Sequence, residues 1–376
     1  MNKISLLENM AMIAIFITLL LSFFLFTIKS SNKLSNRLFG IFLITMAIDL
    51  SGFFIFKYTK NYLNIETLRI TTFLLTMPIF YFYVLSLCYN DFKLKQIHFL
   101  HFIPYVILNV VLLPRVYLAN SIEKISFFEN MSEMPEMHFC QILGEVQVLV
   151  YFVLVFLVLK KFKKIYLENY TNLITTYKWL FQMTVIFVIA HSFVIVRDIL
   201  KHTNYSISYT WINIVIGINV LFITCWFVLK ALKNPELFRG IDSKIPLTED
   251  LVKELKIENT IDESKHNEIE FLKNFMLEKE PFLDPSLTIQ DLANQIKIPA
   301  RDLSILINHQ MKQHFFDFIN EYRIKKAMNI LKDASKNNLT ILEVLYQVGF
   351  NSKSSFNTSF KKQTGQTPTD FRNNSI

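Results

Sequence analysis

Val344-Leu345-Tyr346-Gln347-Val348-Gly349-Phe350, followed by Phe356 and Phe360, is the stretch that decides how the carboxyl-terminal third of this chain folds. A short apolar-faced helix, a tight turn and a second helix are the plan of a helix-turn-helix. Gly349 stands where that turn demands a positive φ, which glycine adopts cheaply. An earlier segment echoes it: Leu292-Ala293-Asn294-Gln295-Ile296-Lys297-Ile298, with Leu303 and Ile307 following. There Ala293 is small where two helices cross closely, and Pro299 opens the second helix, where a missing N–H costs little. One such pattern is a weak signal; two in tandem are a strong one. Between them, Phe316 to Leu331 carries Ile319, Arg323, Ala327, Ile330 and Leu331 at helical spacing. A linker helix there would run roughly 24 Å and act as a rigid spacer, setting two recognition helices about one DNA turn, ~34 Å, apart.

Upstream, a helix near 264–279 places Ile269, Leu272 and Met276 on one face and is closed by Pro281 and Pro285. It opens the domain 264–376. The junction 231–263 begins with Asn234-Pro235, which stops a helix, has a second break at Gly240, and holds a short amphipathic stretch, Glu249 to Leu255, whose charges read as a solvated face.

Residues 1–230 are of different texture. Hydrophobic residues make up 52% of the 376 and charged ones 19%, with 37 Phe and only 7 Gly, and the apolar residues crowd into the first two thirds. Crossing about 30 Å of hydrocarbon takes about 20 apolar residues as helix. Stretches near 9–28, 37–57, 67–89, 97–114, 142–160, 178–200 and 208–230 meet that test. The strongest runs from Leu143 to Leu159; the weakest, 97–114, contains His98, His101 and Pro104. The fold class expected is all-α: a transmembrane bundle of about seven spans, then a domain of two helix-turn-helix units joined by a linker helix.

The first run lacks a small-residue cleavage site and is followed by Lys29, Lys33 and Arg37, so it reads as an anchor with the amino terminus outside. The Lys160, Lys161, Lys163, Lys164 cluster then falls inside, and the acidic loop with Glu123, Glu129, Glu133 and Glu136 outside. This orientation places everything from 231 onward in the cytoplasm of a multi-pass inner-membrane protein.

Few polar residues interrupt the spans. Asn109, Asn213 and Asn219 read as interhelical hydrogen-bonding groups and Arg197–Asp198 as a local ion pair. Asp49 and His191 are the candidates for sensing a signal, because an intramembrane ionisable group is costly enough to imply function. His98 and His101 lack a third ligand, so no metal is expected, nor any other cofactor. Cys88, Cys140 and Cys225 have no metal or redox spacing. With no phosphate-binding glycine loop, no HExxH and no carboxylates at metal spacing, the chain does not read as an enzyme. The alternative reading is a transporter or membrane enzyme whose helical tail serves as a protein-interaction module. Against transport, no pair of Gly/Pro-broken helices stands in matching halves. The formal charge of +8 suits nucleic acid or lipid headgroups without choosing between them.

Leu292-Ala293, Phe318-Ile319-Asn320-Glu321-Tyr322-Arg323-Ile324 and above all Val348-Gly349-Phe350-Asn351-Ser352-Lys353-Ser354-Ser355-Phe356, with Phe360-Lys361-Lys362-Gln363-Thr364-Gly365-Gln366-Thr367-Pro368 and Arg372, resemble the AraC/XylS-type transcription regulators. The resemblance covers about 265–372. Joined to a seven-helix membrane domain, it resembles an architecture found among Bacteroidetes regulators, in which the Asn234-Pro235-Glu236-Leu237-Phe238 stretch is also familiar. Two departures stand out: Lys297 where that family's first turn usually has glycine, and Leu345 in place of the usual alanine. The resemblance implies that Arg301, Ser304 and Ile305 on the first recognition helix face base edges, with Lys353, Ser354, Asn357 and Thr358 doing so on the second. Lys312, Lys361 and Lys362 are placed as phosphate contacts. Phe315, Phe316, Phe350, Phe356 and Phe360 fall at inward positions and read as core. The expected activity is signal-coupled, sequence-specific regulation of transcription. The expected partners are double-stranded DNA, the lipid bilayer and an unidentified small-molecule or protein signal, with a homodimer left open.

Overall fold

The structure is a computed structural model that describes residues 3–28, 33–171, 175–201, 206–233, 247–248, 251 and 263–374. Among them the regular elements are all helical, and Tyr170 and Thr288 form an isolated antiparallel bridge. The chain divides into two compact units: residues 1–160 with 176–243, and residues 161–175 with 244–376.

The first unit contains α1 (Lys3–Thr27), α2 (Lys33–Leu50), α3 (Leu63–Thr71), α4 (Phe73–Cys88), α5 (Ile103–Val111), most of α6 (Pro135–Asn169), α7 (Thr175–Lys201) and α8 (Ser206–Lys233). Five described stretches are long and apolar enough to cross a bilayer: Leu6–Thr27, Lys33–Phe53, Leu63–Cys88, Pro135–Asn169 and Thr176–Leu200. Gln96–Val111 and Trp211–Phe227 are shorter apolar helices. The seven runs read from the sequence therefore all fall on helical stretches, five of them long and apolar enough to cross a bilayer over their described residues, while Trp211–Phe227 is the described apolar part of the 28-residue α8. On α6, Ile142, Val146, Leu149, Val153 and Leu157 form an exposed apolar stripe at three- and four-residue spacing, whereas Tyr151, Val155, Leu159 and Phe162 are buried. A continuous exposed apolar face of that kind is rare on water-soluble monomers and suits hydrocarbon.

Several polar groups inside this unit find partners. Ser22 Oγ donates to Gly40 O at 3.0 Å and Ser35 Oγ to Ser86 O at 3.1 Å. Pro78, inside α4, has no N–H to offer the Leu74 carbonyl one turn back. The Gln147 amide of α6 donates to that carbonyl at 2.9 Å, so a second helix satisfies the group that the proline orphans. Asn109 donates to Thr71 Oγ1 at 3.3 Å and accepts from the Tyr117 hydroxyl at 2.6 Å. Asn219 instead bonds its own helix, at Val215 O. Arg197 and Asp198 pair at 2.7 Å.

The second unit contains α9 (Glu263–Lys279), α10 (Ile289–Ile296), α11 (Ala300–Ser304, continued by the wider turn Ile305–Gln310), α12 (Phe315–Lys332), α13 (Ile341–Gln347), α14 (Lys353–Thr364) and α15 (Pro368–Asn373). Matching caps start the first helix of each repeat. Thr288 accepts from Asp291 N while Asp291 bonds back to Thr288 N, and Thr340 and Glu343 do the same, each pair satisfying two otherwise orphaned donors. Two cores result. Leu292, Ala293, Leu303, Ile307, Phe315 and Ile319 belong to one, and Ile324, Ala327, Val344, Leu345, Phe356 and Phe360 to the other. The linker helix α12 gives its amino-terminal half to the first core and its carboxyl-terminal half to the second, so it is a shared wall as well as a spacer. Of the five phenylalanines expected inside, four are buried and Phe316 is half-buried. The junction features at Asn234-Pro235 and Gly240 lie outside the described residues, as does the Glu249–Leu255 stretch apart from Leu251.

Candidate nucleic-acid interface

Each repeat closes its first helix with a left-handed residue. Lys297 has φ 60° and ψ 37°, and Gly349 has φ 86°. The hydrogen bonds beyond these residues match: Ile298 N donates to Ala293 O at 3.1 Å and Phe350 N to Leu345 O at 3.0 Å. Such a bond satisfies a helix-terminal carbonyl and turns the chain sharply into the next helix. The turn expected at Gly349 is present, and the non-glycine Lys297 adopts the same conformation. Leu345 is fully buried in the second core without breaking the turn.

On α14, Lys353, Ser354, Asn357, Thr358 and Lys361 are exposed along one face, while Ser355, Phe356, Ser359 and Phe360 are buried on the other. The Ser352 hydroxyl accepts from Ser355 N at the start of this helix, and Gly365 ends it with φ 75°. Lys362 is also exposed, but its ammonium lies 2.6 Å from the Asp317 carboxylate. That surface pair is weak in water and leaves the cation able to exchange partners.

The first recognition segment is placed differently. Arg301 and Lys312 are exposed, Lys312 with φ 52°. Ser304 and Ile305 are buried. Ser304 Oγ lies 3.0 Å from Thr248 Oγ1 and accepts from Asn308 Nδ2 at 3.1 Å. Glu168 Oε2 accepts from both Thr248 N at 2.9 Å and Thr248 Oγ1 at 3.0 Å, and Glu168 O accepts from Asn308 Nδ2 at 3.3 Å. Nearby, Thr171 Oγ1 donates to Leu287 O at 2.9 Å. The last turn of α6 and the residues after it therefore cap the first repeat. Sequence reading did not single out Glu168 or Thr248, because isolated polar residues far apart in the chain carry no periodic signal.

Arg323 joins the two repeats. Nearly fully buried, it donates from Nε to Phe282 O and from Nη2 to Asp284 O, both at 2.7 Å, and lies 5.4 Å from the Phe350 ring centroid. Burial pushes its pKa down to about 10, so it remains a cation near neutral pH. Its bonds to the segment before α10 and its stacking at the second turn hold α12 in register with both repeats.

The two candidate sensing residues lie in the first unit, along a cavity of about 510 Å³ that Glu145, Arg197 and Asp198 also line. His191 Nε2 is 2.9 Å from Glu145 Oε2.

Residues 292–374 match the family model described as a helix-turn-helix domain. The chain is 30% identical over 89 residues to the melibiose operon regulatory protein of Escherichia coli (strain K12), and equally to that of strain O6:H1, covering 24% of this chain and 28% of each relative. It is 27% identical over 86 residues to the HTH-type transcriptional regulator YdeC of Bacillus subtilis (strain 168), covering 23% and 28%. The chain thus spans little more than a quarter of the length of the curated relatives it matches. No solved structure matches the chain. Taken with the paired turns and caps, these similarities identify residues 292–374 as a helix-turn-helix domain of the AraC type, a DNA-binding domain of transcription regulators.

Proposed function

We propose that the chain is a membrane-embedded, sequence-specific regulator of transcription in which a signal received by the first unit governs promoter binding by the second. The carrying observation is that α6 supplies residues to both units, with its lipid-suited stripe in the first and Glu168 in the second. A change in that helix has a covalent route to the DNA-binding domain. In this reading the amino terminus is outside the inner membrane and the domain 264–376 is cytoplasmic, with access to the chromosome.

Arg301 and the exposed face of α14 carry base reading, Asn357 suiting a bidentate contact with adenine and Arg301 with guanine. Lys312, Lys361 and Lys362 neutralise phosphates. The Glu168–Thr248–Ser304 network withholds Ser304 and Ile305, and the signal-bound state releases them. Any such coupling requires the signal to favour one arrangement over the other.

Genome-wide DNA occupancy of the intact chain, compared with a span-deleted version, gives the operator and what tethering changes. On that operator, Arg301→Ala and Asn357→Ala should each weaken binding by about 1–3 kcal/mol. Unaltered affinity in both variants, or an extracytoplasmic carboxyl terminus reported by a phosphatase fusion, would overturn the reading.

A further inference from the structure

We infer that the cavity of the first unit is a binding site for a small amphiphilic amine, its cationic nitrogen held at Asp49 and its apolar body among the cavity's aromatic and methionine side chains. The volume, about 510 Å³, falls within the roughly 300–1,000 Å³ of small-molecule sites. The lining combines an apolar wall, with Phe42, Phe152 and Phe187 among its residues, and a small set of charged groups. That combination fixes one end of a ligand and solvates the other.

The charges select the ligand's sign. Three carboxylates line the cavity, from Asp49, Glu145 and Asp198, against one guanidinium, Arg197. Arg197 is committed to Asp198 at 2.7 Å, and Glu145 is met by His191 at 2.9 Å. Asp49 is enclosed by the helices of the unit, with its side chain exposed to the cavity; the charges of Arg69 and Arg197 reach it, but among the described residues it makes no hydrogen bond or close ion pair. A desolvated carboxylate with no hydrogen-bond donor is costly even with those charges near it, and an alkylammonium donating to it lowers that cost. An anion would meet mostly carboxylates, and a neutral apolar molecule would leave Asp49 unpaired. The ring faces add attraction for a cation at short range.

This inference rests on the first unit being the sensor only for its consequence; the binding itself needs no DNA. All three tryptophans, Trp179, Trp211 and Trp226, lie in that unit, so tryptophan fluorescence of the full chain in phosphatidylcholine nanodiscs reports its thermal unfolding. Octylamine should raise the midpoint by several degrees and saturate, whereas octanol and octanoate at equal concentration should not. Asp49→Asn should raise the half-saturating octylamine concentration at least tenfold, and Ala190→Phe, which fills the cavity, should abolish saturation. A midpoint rise in phosphatidylethanolamine discs without added amine, lost in Asp49→Asn, would assign the same chemistry to a lipid headgroup. Octanoate binding as well as octylamine, or unchanged octylamine saturation in both variants, would overturn the site while leaving the DNA-binding reading standing.

Discussion

Opposite substitutions at corresponding turns of the two repeats should have opposite effects on stability. Gly349 has φ 86°, and a Cβ built there would stand 2.5 Å from Phe282 O and 2.7 Å from Leu283 O. Both are main-chain atoms that cannot rotate away. Gly349→Ala therefore incurs the left-handed penalty of about 1–2 kcal/mol and an overpacking cost of about 1–3 kcal/mol. The smaller freedom of alanine in the unfolded chain returns about 0.4–1 kcal/mol, leaving a net loss of roughly 2–4 kcal/mol. Lys297 holds the same left-handed conformation with an exposed side chain. Lys297→Gly recovers the about 1–2 kcal/mol of strain and gives back about 0.4–1 kcal/mol of unfolded-state entropy, a net gain of about 0.5–1 kcal/mol. Pulse proteolysis of the detergent-solubilised full chain across a urea series separates the two repeats by the fragments released. With a slope of about 1–3 kcal/mol per molar urea, the second repeat's midpoint should fall by about 1–2 M in Gly349→Ala. The first repeat's midpoint should rise by a few tenths molar in Lys297→Gly, on the order of the gain divided by that slope. A neutral Gly349→Ala or a destabilising Lys297→Gly would refute the claim that turn conformation, rather than side-chain identity, governs these positions.

Three further outcomes are expected. Arg323→Met strands the buried Phe282 carbonyl and the part-buried Asp284 carbonyl, which now accept charge-assisted bonds at 2.7 Å, and should cost about 2–4 kcal/mol, seen by the same proteolysis as loss of both repeats; a shift under 1 kcal/mol contradicts the bridging role. Gln147→Leu leaves the Leu74 carbonyl without the donor that replaces the one Pro78 lacks. It should lower the first unit's stability by about 1–3 kcal/mol, read by tryptophan fluorescence during heating, with an unchanged midpoint arguing against that compensation. Thr248→Val removes the hydroxyl that joins Glu168 to Ser304. It should tighten operator binding by the full chain in nanodiscs by about 1–2 kcal/mol, and equal or weaker binding would sink the proposed withholding of the first recognition helix.

The helix-turn-helix repeats were legible because their signals are local. The turn at Gly349, the spacing of Leu292, Ala293 and Ile296, and the inward phenylalanines each concern residues within a few turns of one another. The apolar first two thirds were equally readable, since helix length and composition depend on one segment at a time. The Thr288–Asp291 and Thr340–Glu343 caps also carry a local signal, a threonine followed three residues on by a carboxylate. What stayed hidden depends on distant pairing. Pro78 announces an orphaned carbonyl but not that Gln147 answers it. Asp49 and His191 stand out as polar residues in apolar runs, but the cavity they line exists only once several helices assemble. Nor does periodicity show that the end of α6 joins the carboxyl-terminal unit, which is why Ser304 and Ile305 looked like surface positions.

The two repeats differ in a way that bears on how the proposed tethered regulator can be silent without being unfolded. On α14 the polar face is exposed, and its lysines are free of any buried bond. On the first segment, Ser304 is tied through Thr248 to Glu168 while Arg301 remains exposed. Phosphate contacts supply most of the sequence-independent affinity and base contacts the discrimination. A domain with one repeat accessible and the other partly covered would keep the first and forfeit much of the second. It would stay near DNA yet fail to hold an operator, and the switch would then be one of specificity. Because the hydrogen bonds to be exchanged, among Glu168, Thr248, Ser304 and Asn308, lie outside both hydrophobic cores, neither core has to open, and the free energy required is of the few-kcal/mol size that a single ligand can supply by differential binding.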